Sequence, residues 1–263
     1  MSALRFPLWR SRAVGPLTPT PIAGKCHTMR PIVLVHGGWG GAWCWQAVTP
    51  LLGTARVFAP TLAGLGERAD EPPAGITMRT HVEDVVHVLD HHDLHDVVLV
   101  GHSYGGIPIT GAAHHRPGRV SDLVYLDALV PQDGQSCADV LGRGFVLAAE
   151  SAMAEAGTPD RIPWLFTPED LLGPDSPHAD EVAARMTPHP TGTLFDPVAT
   201  AGVTARRHYV FCTGSTGLGL TEGFAANARK RAEWRYSEID GPHDAPHACP
   251  AAVAAALVAI SSL

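Results

Sequence analysis

The sequence predicts an α/β protein: a mostly parallel, doubly wound sheet with helices on both faces and a helical cap inserted into it. Three observations point there. From Pro31 onward, short β-branched runs alternate with helical patterns, the signature of parallel strands joined by helical crossovers. Residues 132–200 break that alternation with a spread of prolines from Pro159 to Pro197 among short helical pieces. The chain has 263 residues, 45% of them hydrophobic, which is enough to bury one full core and too apolar for disorder.

The expected strands are residues 32–35, 55–59, 96–100, 123–126, 207–212 and 234–239, each a short run rich in Val, Ile, Leu or aromatic residues. Between the second and third, Thr80-His81-Val82-Glu83 has capping-box spacing, with Val82, Val85, Val86 and Leu89 following at helical period. That segment is expected to be an amphipathic crossover helix. The resulting organisation is a core of residues 29–131 and 201–263, a cap of residues 132–200, and a disordered extension over residues 1–28. The extension has basic residues and prolines but no apolar run of signal-peptide length.

Composition removes several function classes. Nineteen basic and 26 acidic residues give a formal charge of −7 with no like-charged block, so no nucleic-acid partner is expected. Apolar runs such as 251–260 fall short of the roughly 20 residues that cross a bilayer, so no membrane partner is expected either. Five scattered cysteines without C-x-x-C spacing argue against a disulfide framework and a zinc knuckle. A cytoplasmic setting follows, with a small-molecule substrate as the partner and a homodimer as an open option.

The strongest chemical signal is Gly101-His102-Ser103-Tyr104-Gly105-Gly106, placed between the apolar run 97–100 and a helix-like stretch at 107–113. A serine flanked by glycines at this spacing suits a sharp strand-to-helix turn that presents its hydroxyl above the sheet. Ser103 is therefore the expected nucleophile; the plainer alternative is a structural glycine-rich turn. After the first strand comes His36-Gly37-Gly38-Trp39-Gly40-Gly41. There the backbone N–H of Gly38, with that of Tyr104, can form a two-donor oxyanion hole. Phosphate binding is the weaker use of these glycines because no Gly-Lys-Ser/Thr follows.

Among fifteen histidines, His243 in Asp240-Gly241-Pro242-His243-Asp244 lies after the last expected strand, where a base should follow its nucleophile. His247 is expected in the first turn of the closing helix, and a metal site built from the two lacks a third ligand. Gly64-Leu65-Gly66-Glu67-Arg68-Ala69 matches a dinucleotide fingerprint, but Pro72 and Pro73 interrupt the helix it needs. No metal and no cofactor are expected.

Taken with these residues, the chain resembles the α/β-hydrolase superfamily, and more narrowly its small-capped branch of plant methyl esterases and hydroxynitrile lyases with their bacterial esterase-like relatives. Residues 36–45, 59–68, 98–106, 124–134 and 241–244 carry the likeness. It implies an α/β-hydrolase fold, Ser103 as nucleophile, His243 as general base, and Gly38 and Tyr104 as oxyanion donors.

One departure stands out. The family usually places the acid after the penultimate strand, yet residues 213–222 here contain no Asp. Asp127, at the end of the strand after the nucleophile helix, is the favoured substitute because such triads are defined by geometry and not by order. Glu222, Asp240 and Asp244 are alternatives, as is a Ser103–His243 dyad helped by Ser215 or Thr216.

The expected function is hydrolysis of a small to medium apolar carboxylic ester or lactone through a Ser-His(-Asp) acyl-enzyme. A cofactor-independent lyase or cyclase using Ser103 and His243 as acid–base groups is the alternative, and a non-catalytic binding module is a third option. Cyanohydrin cleavage is disfavoured, since hydroxynitrile lyases carry lysine where this chain has Asp244 and threonine where it has Gly38.

Overall fold

A computed structural model of the chain describes residues 29–263; the extension expected over residues 1–28 lies outside the described residues. In chain order come β1 (Ile32–Val35), β2 (Val57–Phe58), α1 (Met78–His91), β3 (Val97–His102), α2 (Gly106–His115) and β4 (Val120–Leu126). An insertion follows with α3 (Cys137–Leu141), α4 (Arg143–Ala156), β5 (Arg161–Ile162), α5 (Pro168–Leu172), α6 (Ala179–Arg185) and β6 (His189–Pro190). The chain returns through β7 (Arg206–Cys212), α7 (Glu222–Lys230), β8 (Trp234–Ile239), α8 (Ala245–Ala248) and α9 (Pro250–Ser261).

Six strands pair in the order β2-β1-β3-β4-β7-β8, and every pairing in that sheet is parallel. Each of the six expected strand segments is present, although the second shrinks to Val57–Phe58 and the third runs on to His102. The centre of the sheet is buried on both faces, so β1 and β3 read as continuous apolar runs and not as alternating ones.

Alternate residues nevertheless serve different cores. Val33, Val35, Val97 and Leu99 pack with Val82, Val85 and Leu89 of α1 and with Ile107 and Ile109 of α2. Ile32, Leu34, Val98 and Val100 pack with Val253, Leu257 and Ile260 of α9 and with Trp45 and Leu52. Helices thus cover both faces, as a two-residue period on a parallel sheet requires.

Helix α1 begins earlier than the sequence suggests. The capping pair is Thr77 with Thr80, whose Oγ1 accepts the Thr77 N–H at 3.1 Å. Glu83 is left to pair with Arg79 at 2.7 Å on the exposed face. The extended backbone of Thr77 (φ −127°, ψ 176°) decides the start, because only a residue outside helical geometry can cap it.

The insertion is fastened to the sheet by side-chain hydrogen bonds to backbone carbonyls. Arg161 donates to Gly64 O (3.0 Å), Ala69 O (2.7 Å) and Glu71 O (2.8 Å). Trp39 Nε1 donates to Ile162 O and Pro163 O, both at 3.1 Å. At the opposite, N-terminal end of the strands, buried Asp122 accepts from Arg30, Arg206 and His208. Arg30 also donates to Ile260 O and Ser261 O, which ties the end of α9 to the sheet. Among the described residues, no helix is long and apolar enough to cross a membrane.

Candidate active site

Strand register brings four chain segments to one edge. Val35 pairs with Gly101, His102 with Leu126, and Leu126 with Val210. The loops leaving β1, β3, β4 and β7 therefore emerge together, at the point where strand order reverses between β1 and β3. Open α/β sheets bind ligands at such a crevice.

Ser103 leaves β3 in the left-handed region, at φ +52°, a conformation uncommon outside glycine that recurs where a side chain is held for function. The flanking glycines are required by close backbone approach. A Cβ on Gly101 would lie 2.5 Å from Gly105 O, and one on Gly105 would lie 2.7 Å from Val35 O and His36 O. The Ser103 carbonyl accepts the Leu129 N–H at 3.0 Å, which anchors the turn to the loop beyond β4.

His243 lies buried in the loop after β8. Its Nε2 accepts the Ser103 hydroxyl at 2.9 Å, and its Nδ1–H donates to Asp127 Oδ2 at 2.6 Å. Two contacts hold that loop: Gly214 N–H donates to Gly241 O at 2.8 Å, and His102 Nε2–H donates to His243 O at 2.9 Å.

Asp127 also adopts a positive φ, +41°, and is fully buried. Its N–H still bonds Val210 O at 2.7 Å as if β4 continued, while its carboxylate meets three donors. Besides His243, these are Thr221 Oγ1 at 3.0 Å and the Cys212 N–H at 3.4 Å, both on Oδ1. Multiple donors are what a buried carboxylate needs in place of its lost hydration.

The other acids considered from the sequence are engaged elsewhere. Glu222 accepts from Gly217, Gly219 and Thr221 N–H groups and closes its own glycine-rich loop. Asp240 accepts from Thr213, and Asp244 from His247. Ser215 and Thr216 donate to Cys212 O and Thr213 O within their own turn.

Gly37 and Gly38 lie against the turn that carries Ser103. A Cβ on Gly37 would come within 3.1 Å of Ser103 Cβ, and one on Gly38 within 3.8 Å of Tyr104 Cβ. Buried His36 holds this loop by donating from Nδ1 to Gly37 O (2.8 Å) and accepting the Leu62 N–H at Nε2 (3.1 Å). Burial lowers the His36 pKa to about 4, so the ring stays neutral near pH 7. The Tyr104 hydroxyl donates to His81 Nδ1 at 2.8 Å, and His81 Nε2–H donates to Ala63 O at 2.9 Å.

A pocket opens over Ser103 and His243, roofed by residues of the insertion. Leu129, Leu141, Phe145, Ile162, Phe166 and Met186 supply much of its apolar wall. His189 of β6 also lines it, accepting the Trp39 N–H at Nδ1 (3.4 Å) and donating from Nε2 to Thr193 (2.8 Å). Among the described residues, no grouping of three or more His, Cys, Asp or Glu side chains is arranged to hold a metal ion.

Some of these features escape a linear search. Thr221 precedes Glu222 and reads only as a helix cap, and His189 is one of many histidines in a proline-rich stretch. His247 lies in the separate short helix α8 and not in the first turn of α9, because Pro250 starts a new helix after it.

Comparisons with known proteins find similar chains over most of this chain's length. The model described as "Alpha/beta hydrolase family" matches residues 32–256. A carbendazim hydrolyzing esterase from Nocardioides sp. is 35% identical over 196 residues, covering 71% of this chain and 81% of that protein. Polyneuridine aldehyde esterase from Rauvolfia serpentina is 28% identical over 217 residues, covering 72% and 80%. Among solved structures, an extracellular alpha/beta-hydrolase from a Paenibacillus species superposes with a TM-score of 0.77 at 25% identity, covering 88% of this chain and 98% of that one.

Proposed function

The chain belongs to the alpha/beta hydrolase family, and from that premise we propose that it is a serine hydrolase of small to medium apolar carboxylic esters or lactones. The observation that carries this proposal is the continuous hydrogen-bonded chain Ser103–His243–Asp127 at the floor of an apolar pocket.

Ser103 Oγ attacks the ester carbonyl as His243 Nε2 takes its proton. The carbonyl oxygen becomes an oxyanion, stabilised by the backbone N–H groups of Gly38 and Tyr104. His243 then protonates the departing alkoxide, leaving an acyl-Ser103. A water gives its proton to His243, attacks the acyl carbon, and releases the acid with Ser103 restored. Asp127 keeps the Nδ1–H tautomer in place and stabilises the imidazolium that forms twice per cycle. Residues 132–200 act as the cap that shapes the substrate pocket.

A loop after β7 without an Asp would favour lyase or cyclase chemistry only if His243 had no charged partner. A carboxylate 2.6 Å from His243 Nδ1 supports hydrolysis instead. Esterase activity in the relatives from Nocardioides and Rauvolfia supports the same choice.

The test is labelling by a fluorophosphonate followed by peptide mapping, with turnover of a methyl ester series measured alongside. Modification at Ser103 that is lost in Ser103→Ala, together with acid release, is expected. A folded protein that neither labels nor releases acid would overturn the proposal.

A further inference from the structure

Two side chains in the pocket lining, Asp244 and His102, offer acceptor atoms with capacity to spare, alongside one donor unpartnered among the described residues, Trp43 Nε1–H. Asp244 follows His243, and its own N–H donates to Leu171 O at 2.8 Å, which pins it beneath α5. Asp244 lines the pocket, and its side chain is 10% exposed. Both oxygens share a single donor, His247 Nδ1–H, at 2.9 Å each. A carboxylate offers about four acceptor sites, and a buried one commonly gathers several donors, as Asp127 and Asp122 do here. Among the described residues, Asp244 has only the one side-chain partner. Burial pushes its carboxyl up, but the hydrogen bond from His247 holds it below the usual carboxylate range, so it stays an acceptor.

His102 adds a second acceptor to the same pocket. Because its Nε2–H donates to His243 O, the neutral ring leaves a lone pair on Nδ1. Burial lowers the His102 pKa to about 4, which keeps the ring neutral. Nδ1 has no hydrogen-bond partner among the described residues and lies 3.3 Å from where a Cβ on Gly37 would sit, beside another residue of the lining. No lysine or arginine side chain lines the pocket among the described residues. Trp39, Trp43, Phe145 and Phe166 make much of the remaining surface aromatic, which suits a flat body. An apolar site with a few placed polar groups takes its specificity from those groups.

Resting on the ester-hydrolase proposal above, we infer that the preferred substrate is an uncharged or cationic ester whose flat apolar body carries an N–H donor, received by Asp244 and His102. Anionic esters are disfavoured, because the wall offers them a carboxylate and no counter-charge.

The experiment compares near-isosteric pairs, the methyl aminobenzoates against the methyl toluates, with the substituent ortho, meta and para. Each pair differs in one N–H-bearing group replaced by methyl. Intrinsic reactivity cancels when the amino-to-methyl ratio of kcat/KM in the wild type is divided by that in Asp244→Leu. The expected double ratio is about tenfold or more for at least one ring position, the discrimination that a hydrogen bond to a charged acceptor supplies.

Because Asp244→Leu could unfold α8, the same ester pairs are also titrated calorimetrically into Ser103→Ala. That measurement keeps the wall intact and needs no turnover. Tighter binding of the amino ester by about tenfold or more at one position supports the inference even if neither ester is hydrolysed, an outcome that would count against ester hydrolysis alone. Amino and methyl members that bind within about twofold of one another at all three positions would overturn the inference, whether or not both are turned over.

Discussion

Asp127 Oδ2 and His243 Nδ1 lie 2.6 Å apart although 116 residues separate them in the chain. The carboxylate that meets His243 comes from the end of β4 and not from the loop after β7, on a residue with a positive φ. Asp127→Asn should therefore reduce kcat/KM by about 10³–10⁴-fold with the fold intact, as loss of the triad acid does elsewhere. Glu222→Gln should remain within about twofold of wild type. Steady-state kinetics with circular dichroism of each variant tests both, and the opposite ranking would transfer the role to Glu222.

Thr221 donates to the other carboxylate oxygen of Asp127 at 3.0 Å. Thr221→Val keeps the volume but removes the donor, leaving a buried carboxylate with one partner fewer. A fall in kcat of about tenfold with little change in KM is expected, and Thr221→Ser should recover most of it. Equal activity in all three proteins would limit Thr221 to packing.

Gly105 cannot accept a side chain without displacing backbone, since a Cβ there would lie 2.7 Å from two carbonyl oxygens. Gly105→Ala should cost about 1–3 kcal/mol of stability, in the range of overpacking in a close-packed interior. A lowered urea midpoint together with weaker fluorophosphonate labelling is the expected pair of results.

Four buried histidines make the fold acid-sensitive, His189 among them, its pKa also held well below the ordinary value by burial. Burial lowers His36, His81 and His102 each to about 4, below the value near 6.5 of an unfolded chain. Between those values the unfolded chain binds protons that the folded one refuses, so stability is full above about pH 6.5 and falls as pH drops toward 4. Each histidine contributes a slope of up to about 1.4 kcal/mol per pH unit in that window. Denaturant melts from pH 7 to pH 4.5 should show the loss, and His81→Gln should flatten it. A midpoint constant across that range would mean that the rings are already solvated in the folded state.

Asp122 governs a lower window. Burial raises its carboxyl, but His208, Arg206 and Arg30 outweigh that and hold it well below the usual range. Its stabilisation is present above about pH 4 and is lost as pH falls further toward the folded-state value. Asp122→Asn should destabilise the protein at pH 7 and reduce its dependence on pH below 4, measured by the same melts.

Local sequence was enough to place the sheet strands, the glycine-flanked turn that carries Ser103, and His243 in the loop after the last strand. Each rests on short-range physics: apolar runs of strand length, and glycines two residues either side of Ser103, where the backbone leaves no room for a Cβ. Proximity in the chain sufficed because each feature is local. The partner of His243 was narrowed to Asp127 against Glu222, Asp240 and Asp244, but choosing among them depended on where β4, β7 and β8 end relative to one another, and strand register sets that. The same holds for Thr221, His189 and the Asp244 wall, whose neighbours are brought in by elements distant in sequence. Capping slipped by three residues at α1 because two threonine-led boxes compete there, and the extended backbone of Thr77 decides between them. Hydrogen bonds between remote side chains cost chain entropy that only a completed tertiary fold recovers; local patterning therefore left these contacts to the packing of β4, β7, β8 and the insertion.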